Sequence, residues 1–434
     1  MRRCRVPVSF AAVLLLGASA SPLHADGWKI QLQGAKALGS SYAGRSVLTD
    51  DASAVWFNPA AMTALGDGWT ITAGAPVITY QLLFRDGGSR GVLGQPLQGG
   101  TENGGTTAIV PHLYVSKGMG DRARFGFGFN APFGLGTDYG ESWAGRYHAT
   151  ETTLSVFNLN PAFAWRVRRG LSVAAGLDVQ RSTATIASMI DFGSIGATLG
   201  LPLTPQGVDG RIRFTGSDWA VGWNGGVFWE SPHGVRAGAS YRSHVGHSLR
   251  GTVDFTVPAE AMPLAAGFAD GAAAVSLPMP AELATSVSYP LTRTWLLLGD
   301  VTWTDWSRFQ SLRVRFDDPA RPPLEQAANW DDSLRVAIGT SAHVKDWVVR
   351  AGVAYETTPV PDATRTPRLP EADHTWVSGS ATYAFNKRWR LDVHASHLFT
   401  PDASIHQLDP ASGLLQGAMH WRLTILGAAV VVAF

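Results

Sequence analysis

The chain closes on residues 417–434, a stretch that ends ILGAAVVVAF with a C-terminal phenylalanine. This run of about ten uncharged apolar residues is half the roughly twenty that a membrane-crossing helix needs. It suits the roughly nine to eleven of a tilted membrane-crossing strand. Leu426, Ala428, Val430, Val432 and Phe434 share one face of such a strand, while Gly427, Ala429, Val431 and Ala433 share the other and are small. Lipid on one side and a crowded interior on the other would produce that division. The alternative is a buried strand in a soluble sheet, and the rest of the chain decides between them.

Only 16% of the 434 residues are charged, against about 25% in an ordinary soluble domain. Beyond the N-terminus no apolar run approaches the roughly eighteen residues of a spanning helix. Low charge with 48 glycines and 16 tryptophans suits a large β-barrel. The formal net charge of +1 gives no reason to expect nucleic acid or another polyanion as partner. Residues 1–25 read as an export signal: Arg2, Arg3 and Arg5, then an apolar core over 8–18, then small-residue cleavage sites after Ala20 or Ala25. The single cysteine, Cys4, lies inside that signal, so the mature chain would hold no disulfide, thiolate metal site or cysteine nucleophile.

Residues 26–66 are not strand-like. Asp50 or Asp51 suits the cap of a short helix over 52–57, and Pro59 suits the first turn of another over 60–65. Such pieces are too short to be stable alone. A compact plug inside a barrel would support them, whereas a separate cap domain of this size would lack a core.

Residues 67–434 read as strand after strand. About fourteen are expected, over 69–83, 106–117, 123–133, 152–167, 171–187, 218–229, 235–255, 281–289, 294–306, 333–344, 347–357, 374–385, 389–399 and the C-terminal stretch. Links at 118–122, 168–170, 231–234, 290–293, 345–346 and 386–388 are short. Those at 85–105, 134–151, 188–217, 256–280, 307–332, 358–373 and 400–416 are long, and the two kinds alternate throughout. Tight turns on one side and long loops on the other mark an up-and-down outer-membrane barrel. The expected fold is therefore all-β: a transmembrane antiparallel barrel of about fourteen strands, with an N-terminal hatch of short helices in its lumen. Trp295, Trp303, Trp306, Trp347, Trp376, Trp389, Trp421, Tyr383 and Phe385 stand near strand ends and suit aromatic girdles at the membrane interfaces. Core packing is the alternative for them.

No catalytic constellation emerges. Phe125-Gly126-Phe127-Gly128-Phe129 has a period of two and no following helix, so it is a strand with bare glycines on one face, not a dinucleotide loop. Asn130-Ala131-Pro132 then interrupts it, because proline donates no ladder hydrogen bond. That interruption suits either a doorway in a barrel wall or a plain strand end. His244/His247 and His394/His397 are three apart and would face opposite sides of a strand, so neither pair suits one metal ion. No metal or cofactor site is expected.

Several motifs together carry a family resemblance. They are Leu38-Gly39, Tyr42-Ala43-Gly44, Asp50-Asp51-Ala52 and Asn58-Pro59-Ala60 near the start, and WAVGWNGG over 219–226 with Tyr241-Arg242-Ser243. WTDWSRF over 303–309, residues 334–339, Pro359-Val360-Pro361 and TYAFNK over 382–387 follow. The chain resembles the FadL family of outer-membrane transporters for long-chain fatty acids and other hydrophobic compounds, from about residue 27 to the end. The C-terminal Phe434 likewise resembles the membrane-insertion signal that barrel-assembly machinery reads in bacterial outer-membrane barrels.

The resemblance implies a fourteen-stranded barrel with a hatch, here marked by Asp50, Asp51, Asn58, Pro59 and Ala60. It implies a capture groove between the loops at 188–217 and 256–280, and a pocket beside the hatch. It also implies a lateral gate at a kinked third strand, here Phe125, Gly126, Phe127, Gly128, Phe129, Asn130 and Pro132. Trp28 takes the place of a family aromatic near the mature N-terminus. Trp28 and Ile30, with Arg181 and Arg313, are the substrate-binding candidates. Where fatty-acid binders of the family offer basic side chains, this chain has Ser188 and Gln326, which brings neutral aromatic or aliphatic hydrocarbons in as rival substrates; Arg181, Arg313 or Arg315 would have to supply any missing charge. The expected activity is passive uptake across the bacterial outer membrane, amid its lipid and lipopolysaccharide, with no enzymatic step. Each buried CH2 contributes about 0.8 kcal/mol, so a sixteen-carbon chain would gain roughly 12 kcal/mol in an apolar pocket. Release is then the difficulty, and a hatch with two packings would solve it. A general porin, an outer-membrane lipid hydrolase and an adhesin are the readings from other classes.

Overall fold

The computed structural model describes residues 27–434; the export signal expected over 1–25 falls outside the described residues. Fourteen wall strands follow one another. They are β1 (Trp69–Gly74 and Val77–Asp86), β2 (Thr107–Ile109 and His112–Met119), β3 (Ala123–Asp138), β4 (Glu151–Arg168), β5 (Leu171–Asp191), β6 (Asp209–Glu230) and β7 (Arg236–Arg242 and Val245–Thr256). Then come β8 (Gly271–Met279 and Glu282–Pro290), β9 (Trp295–Thr304 and Ser311–Phe316), β10 (Leu324–Ala327 and Ser333–Val344), β11 (Trp347–Glu356), β12 (His374–Ala384), β13 (Trp389–Phe399 and Ala403–Asp409) and β14 (Gly413–Ala433). Each pairs antiparallel with the next over at least part of its length, and β14 pairs with β1, so the ring closes. Several strands are interrupted at a proline, such as Pro76, Pro111 and Pro280, where no N–H is available for the ladder.

The strand count agrees with the sequence reading, but the long loops are shorter than expected. The stretches 188–217, 256–280, 307–332 and 400–416 each contain wall strand, as at Gly271–Met279 and Ala403–Asp409. These segments do alternate, as in Ser311–Phe316 and around Ile212 and Phe214, but over runs too short, between glycines and prolines, to stand out as wall.

On β14 the alternation is as expected: Leu426, Val430 and Phe434 are exposed, while Ala429 and Val431 are buried. Trp295, Trp347, Trp389 and Phe385 are exposed beside the short turns. Trp306, Trp376 and Trp421 are not girdle residues; all three are buried inside. Trp376 donates to Glu356 Oε2 at 3.1 Å, and Trp421 stands at an inward position of β14. For Trp376 and Trp421 the pleat, with its period of two, decides the side, and nearness to a strand end does not; Trp306 lies in a 3-10 turn, Trp306–Arg308, that interrupts β9.

The lumen is filled by the hatch: α1 (Ala35–Gly39), a 3-10 turn (Arg45–Val47), α2 (Ala54–Phe57) and a 3-10 helix (Pro59–Ala64). Almost all of it is buried, and it packs on the wall where the wall has no side chain. A Cβ on Gly352 would overlap the carbonyl of Ser40, and one on Gly226 would overlap Asn58 Oδ1. Asn58 also accepts from Ala60 N at 3.1 Å, capping the 3-10 helix, and donates to the carbonyls of Ser46 (2.8 Å) and Val227 (3.0 Å). Charged pairs complete the seat. Lys36 Nζ lies 3.2 Å from both Asp50 and Asp51, and Arg350 Nη2 lies 2.6 Å from Asp50. Arg45 lies 2.6 Å from Glu282, which also pairs with Lys29. Buried pairs of this kind fix orientation more reliably than they add stability.

Candidate functional site

The third strand leaves the wall partway up. Over Ala123–Phe129 its inward residues, such as Gly126 and Gly128, alternate with outward Phe125 and Phe127. From Asn130 to Thr137 every residue is buried. The ladder between β3 and β2 runs only from Ala123 to Phe129, and the ladder to β4 shifts register between Asn130 and Phe133. Above Phe129 the wall between β2 and β3 is therefore open, and β3 presents an unpaired edge.

The head of the hatch takes that edge. Lys29 bridges antiparallel to Phe133. Ile30 N donates to Pro132 O at 2.8 Å, and Gly134 N donates to Trp28 O at 2.7 Å. Gln33 Nε2 donates to Ala131 O at 2.6 Å, satisfying a carbonyl that the kink frees. The break thus begins at Asn130. Phe125 to Phe129 are ordinary wall, and Gly126 and Gly128 face the hatch: a Cβ on Gly126 would run into Met62 and Val55. The glycines make room for the plug, not for a solute.

Trp28 sits on top of this strand in an aromatic nest, with Trp306 at 5.0 Å and Phe309 and Trp330 each at 4.7 Å between ring centroids. Trp306 and Phe309 come from WTDWSRF, which occupies the break in β9 and turns both rings inward. Above Trp28 lies an inner pocket of about 80 Å³ lined by Leu135, Leu154, Leu277, Leu369 and the rings of Trp28, Phe309 and Trp330. Below Ile30, between the hatch and Pro132-Phe133, lies a smaller cavity of about 20 Å³. Above the inner pocket a groove of about 930 Å³ opens under the loops, lined by Ile190, Leu199, Phe214, Val253, Phe255 and Phe268 among others. Groove and inner pocket share Ile186, Leu312, Gln326 and Arg368, which form the neck between them.

Arg368 is the one ionisable residue lining the inner pocket. It stands in the loop between β11 and β12. Its Nη1 donates to Thr152 Oγ1 (2.8 Å), Ala187 O (3.1 Å) and Glu151 O (3.3 Å), and its Nη2 to His148 O (2.8 Å). No carboxylate of the described residues pairs with it. Burial pushes its guanidinium down to about 10, which still leaves it charged at neutral pH. Neighbouring His148 is pushed down to about 4 by burial and is neutral there. Arg368 is thus a positive charge held by neutral acceptors at the neck between the two cavities.

The residues nominated from the sequence divide accordingly. Trp28, Ile30 and Pro132 meet at the junction of pocket and opening, Asn130 begins the kink and accepts from Asn158 at 3.2 Å, and Asp50, Asp51, Asn58, Pro59 and Ala60 seat the hatch. Arg181 and Arg313 are not at the cavities. Arg181 lies against the outward Trp219, 5.6 Å from its ring, and Arg313 is exposed beside Glu325. Both occupy strand positions whose neighbours, Gln180 and Leu312, point inward. Gln326 and Ser188 do line the cavities, but the charge comes from Arg368, which sequence reasoning missed. Phe434 closes the ring: its N donates to Trp69 O (3.0 Å) and Trp69 N to its O (2.7 Å).

Comparison with known proteins agrees with this architecture. Residues 16–434 match the model of the family described as outer membrane protein transport protein (OMPP1/FadL/TodX). The chain is 28% identical over 397 residues to a long-chain fatty acid transport protein of Salmonella typhi, covering 88% of this chain and 89% of that one. It is 28% identical over 431 residues to a putative outer membrane protein of Neisseria meningitidis, covering 92% of each. Among solved structures, a Pseudomonas aeruginosa FadL homologue superposes with a TM-score of 0.87 at 21% identity, covering 94% of this chain and all of that one. The Ralstonia pickettii toluene transporter TbuX gives 0.65 at 20% identity, covering 92% and 99%. The chain belongs to the OMPP1/FadL/TodX family of outer-membrane transport proteins.

Proposed function

We propose that this protein carries a long-chain carboxylate across the outer membrane unchanged, by passive passage from groove to neck to inner pocket and out through the opening between β2 and β3. The observation that carries the reading is Arg368, a lone guanidinium in the apolar neck. An acid headgroup supplies the carboxylate that Arg368 lacks, while the tail lies on aliphatic and aromatic side chains. Relatives named as long-chain fatty acid transport proteins support the same substrate class.

The inner pocket is smaller than the roughly 150 Å³ cavity that admits benzene. A solute therefore enters only if the lining gives way, and Trp28, at the head of the hatch, is the side chain that we infer moves. Trp28 and Ile30 are hydrogen-bonded to the edge of β3, so that displacement also frees the edge and joins the pocket to the cavity beside Pro132. Binding energy gained above is thus coupled to opening below, and nothing in the route calls for an energy source other than the solute gradient.

The rival is a neutral hydrocarbon, favoured by the nest of Trp28, Phe309 and Trp330 and carried by relatives of the toluene-transporter type. Arg368→Met separates the two. A charge-assisted pair contributes about 1.5–3 kcal/mol, so the variant is expected to bind a sixteen-carbon carboxylate roughly ten- to a hundredfold more weakly while binding its methyl ester as before. Calorimetric titration of the detergent-purified protein checks this. Equal affinity of variant and parent for the acid would transfer the assignment to neutral hydrocarbons.

A further inference from the structure

The two arginines that face away from the cavities belong to a group of four. On the outer wall, strand register places Arg250 (β7) opposite Ser217 (β6) on one side and Ala274 (β8) on the other, with Arg315 (β9) opposite Ala274 in turn. Arg181 (β5) stands opposite Trp219, and its Nη2 donates to Ser217 Oγ at 3.0 Å, so it reaches the residue beside Arg250. Arg313 is two residues below Arg315 on the same face. The floor between them is small: Ser217, Ala274, and the facing pair Ser248 and Ser276. Arg250 and Arg315 are exposed, and their guanidinium groups make no hydrogen bond or ion pair with the described residues. Two strands apart, their Cα atoms are about 10 Å from each other, and only the Ala274 methyl lies between.

The acidic groups at this level are few. Asp218 accepts from Ser248 N at 3.0 Å and faces His247 at 3.3 Å. Glu325 is engaged by Arg313 (3.7 Å) and Ser311 (2.7 Å). Asp317 and Asp254 lie further up, two residues beyond Arg315 and four beyond Arg250. Arg250 and Arg315 are left without compensation.

The height of the basin on the wall is informative. Exposed Trp219 and Trp229 are ten positions apart on β6, with exposed Val221, Trp223 and Val227 between them. At about 3.4 Å per residue and a tilt near 40°, that spans about 25 Å, the height of the apolar band of an outer-membrane barrel. Trp229 stands by a short turn, so Trp219 marks the boundary on the side of the long loops, and the arginines stand at the headgroup level of the outer leaflet. Guanidinium groups match phosphate oxygens two by two.

We propose that Arg181, Arg250, Arg313 and Arg315 form a binding site for the phosphate groups of an outer-leaflet glycolipid. The site is on the opposite face of the wall from the cavities and does not depend on which solute they carry. Full-length protein in detergent, titrated with diphosphoryl lipid A and followed by native mass spectrometry, tests it. The wild type is expected to retain lipid A at least tenfold better than the dephosphorylated lipid or phosphatidylglycerol. Arg250→Glu with Arg315→Glu is expected to cut retention roughly tenfold per arginine, and Arg250→Lys with Arg315→Lys to restore part of it. Heat-modifiable migration on gels reports an intact barrel in each variant; if the reversal fails to assemble, Arg250→Gln and Arg315→Gln read the same loss more mildly. Equal retention by wild type and variants, or no preference for the phosphorylated glycolipid over either comparison lipid, would overturn the site.

Discussion

Asp50 shows how single groups hold the hatch. Burial alone would raise its carboxyl, but Lys36 and Arg350 outweigh it and hold Asp50 well below the usual carboxylate range. Burial alone would lower the Lys36 ammonium, but Asp392, Asp50 and Asp51 outweigh it and hold Lys36 above its usual range. The signs define a window. A depressed carboxyl contributes stability above its ordinary value near 4 and loses it as pH falls; a raised amine contributes below its ordinary value near 10.5 and loses it as pH rises. The seat is therefore expected to hold between these limits and to loosen in acid. Asp50→Asn should produce the acid-loosened hatch at neutral pH, seen as faster amide exchange over residues 27–66 with barrel exchange unchanged. A hatch as protected as the parent's would show that the pair does not hold it. Asp50 and Asn58 stood out in the sequence because they sit in compact motifs with capping chemistry. Arg368 did not, since a lone arginine in a proline-rich loop carries no spacing signal and gains its meaning only from the cavities it joins.

Between elements, the proposed route requires movement at the junction of hatch and β3. Residues 28–30 act as a short fifteenth strand on the edge that β3 exposes above Phe129. A second connection runs through the wall. The Trp56 carbonyl accepts from Arg242 (2.8 Å), Arg242 pairs with Asp178, Asn158 donates to Asp178 (3.0 Å), and Asn158 also donates to Asn130 (3.2 Å), where the kink begins. Hatch and kink are thus tied at both ends, and uptake through the opening requires the first tie to break. Lys29 and Phe133 face each other as a non-hydrogen-bonded pair, whose Cα atoms in antiparallel sheets are about 4.5 Å apart, within disulfide range. Lys29→Cys with Phe133→Cys, in a chain whose one cysteine is Cys4, should form a bond that abolishes uptake and releases it on reduction. Uptake at the parental rate with the bond intact would place the exit elsewhere. Asn130-Ala131-Pro132 announced an interruption because proline cannot join a ladder. Nothing in residues 28–30 announced their pairing with it, since three residues have no readable period and their partner lies about a hundred positions away.

At the scale of the whole molecule, the barrel is a tube with charged groups on its inner wall, closed by a plug. Pairing around the ring needs no contribution from the hatch, because each strand bonds to its sequence neighbours and β14 bonds to β1. That local order is why the strand count could be read from alternating short and long links, while the hidden extent of the upper hairpins could not. The lumen surface beneath the hatch carries Asp178, Arg242, Glu282, Asp300, Arg335, Arg350, Glu356 and Asp392, a lining that water would fill if the plug were absent. On the proposed route the plug is the barrier to ions and the apolar cavities above it carry the solute. Deleting residues 27–65 is expected to leave a heat-modifiable barrel that conducts ions steadily in planar bilayers, while the parent shows little steady current. The same deletion removes Trp28 and with it the floor of the inner pocket, so high-affinity solute binding should vanish as conductance appears. A parent protein with a large steady conductance, or a deleted barrel that still binds solute tightly, would separate the two roles proposed for the hatch.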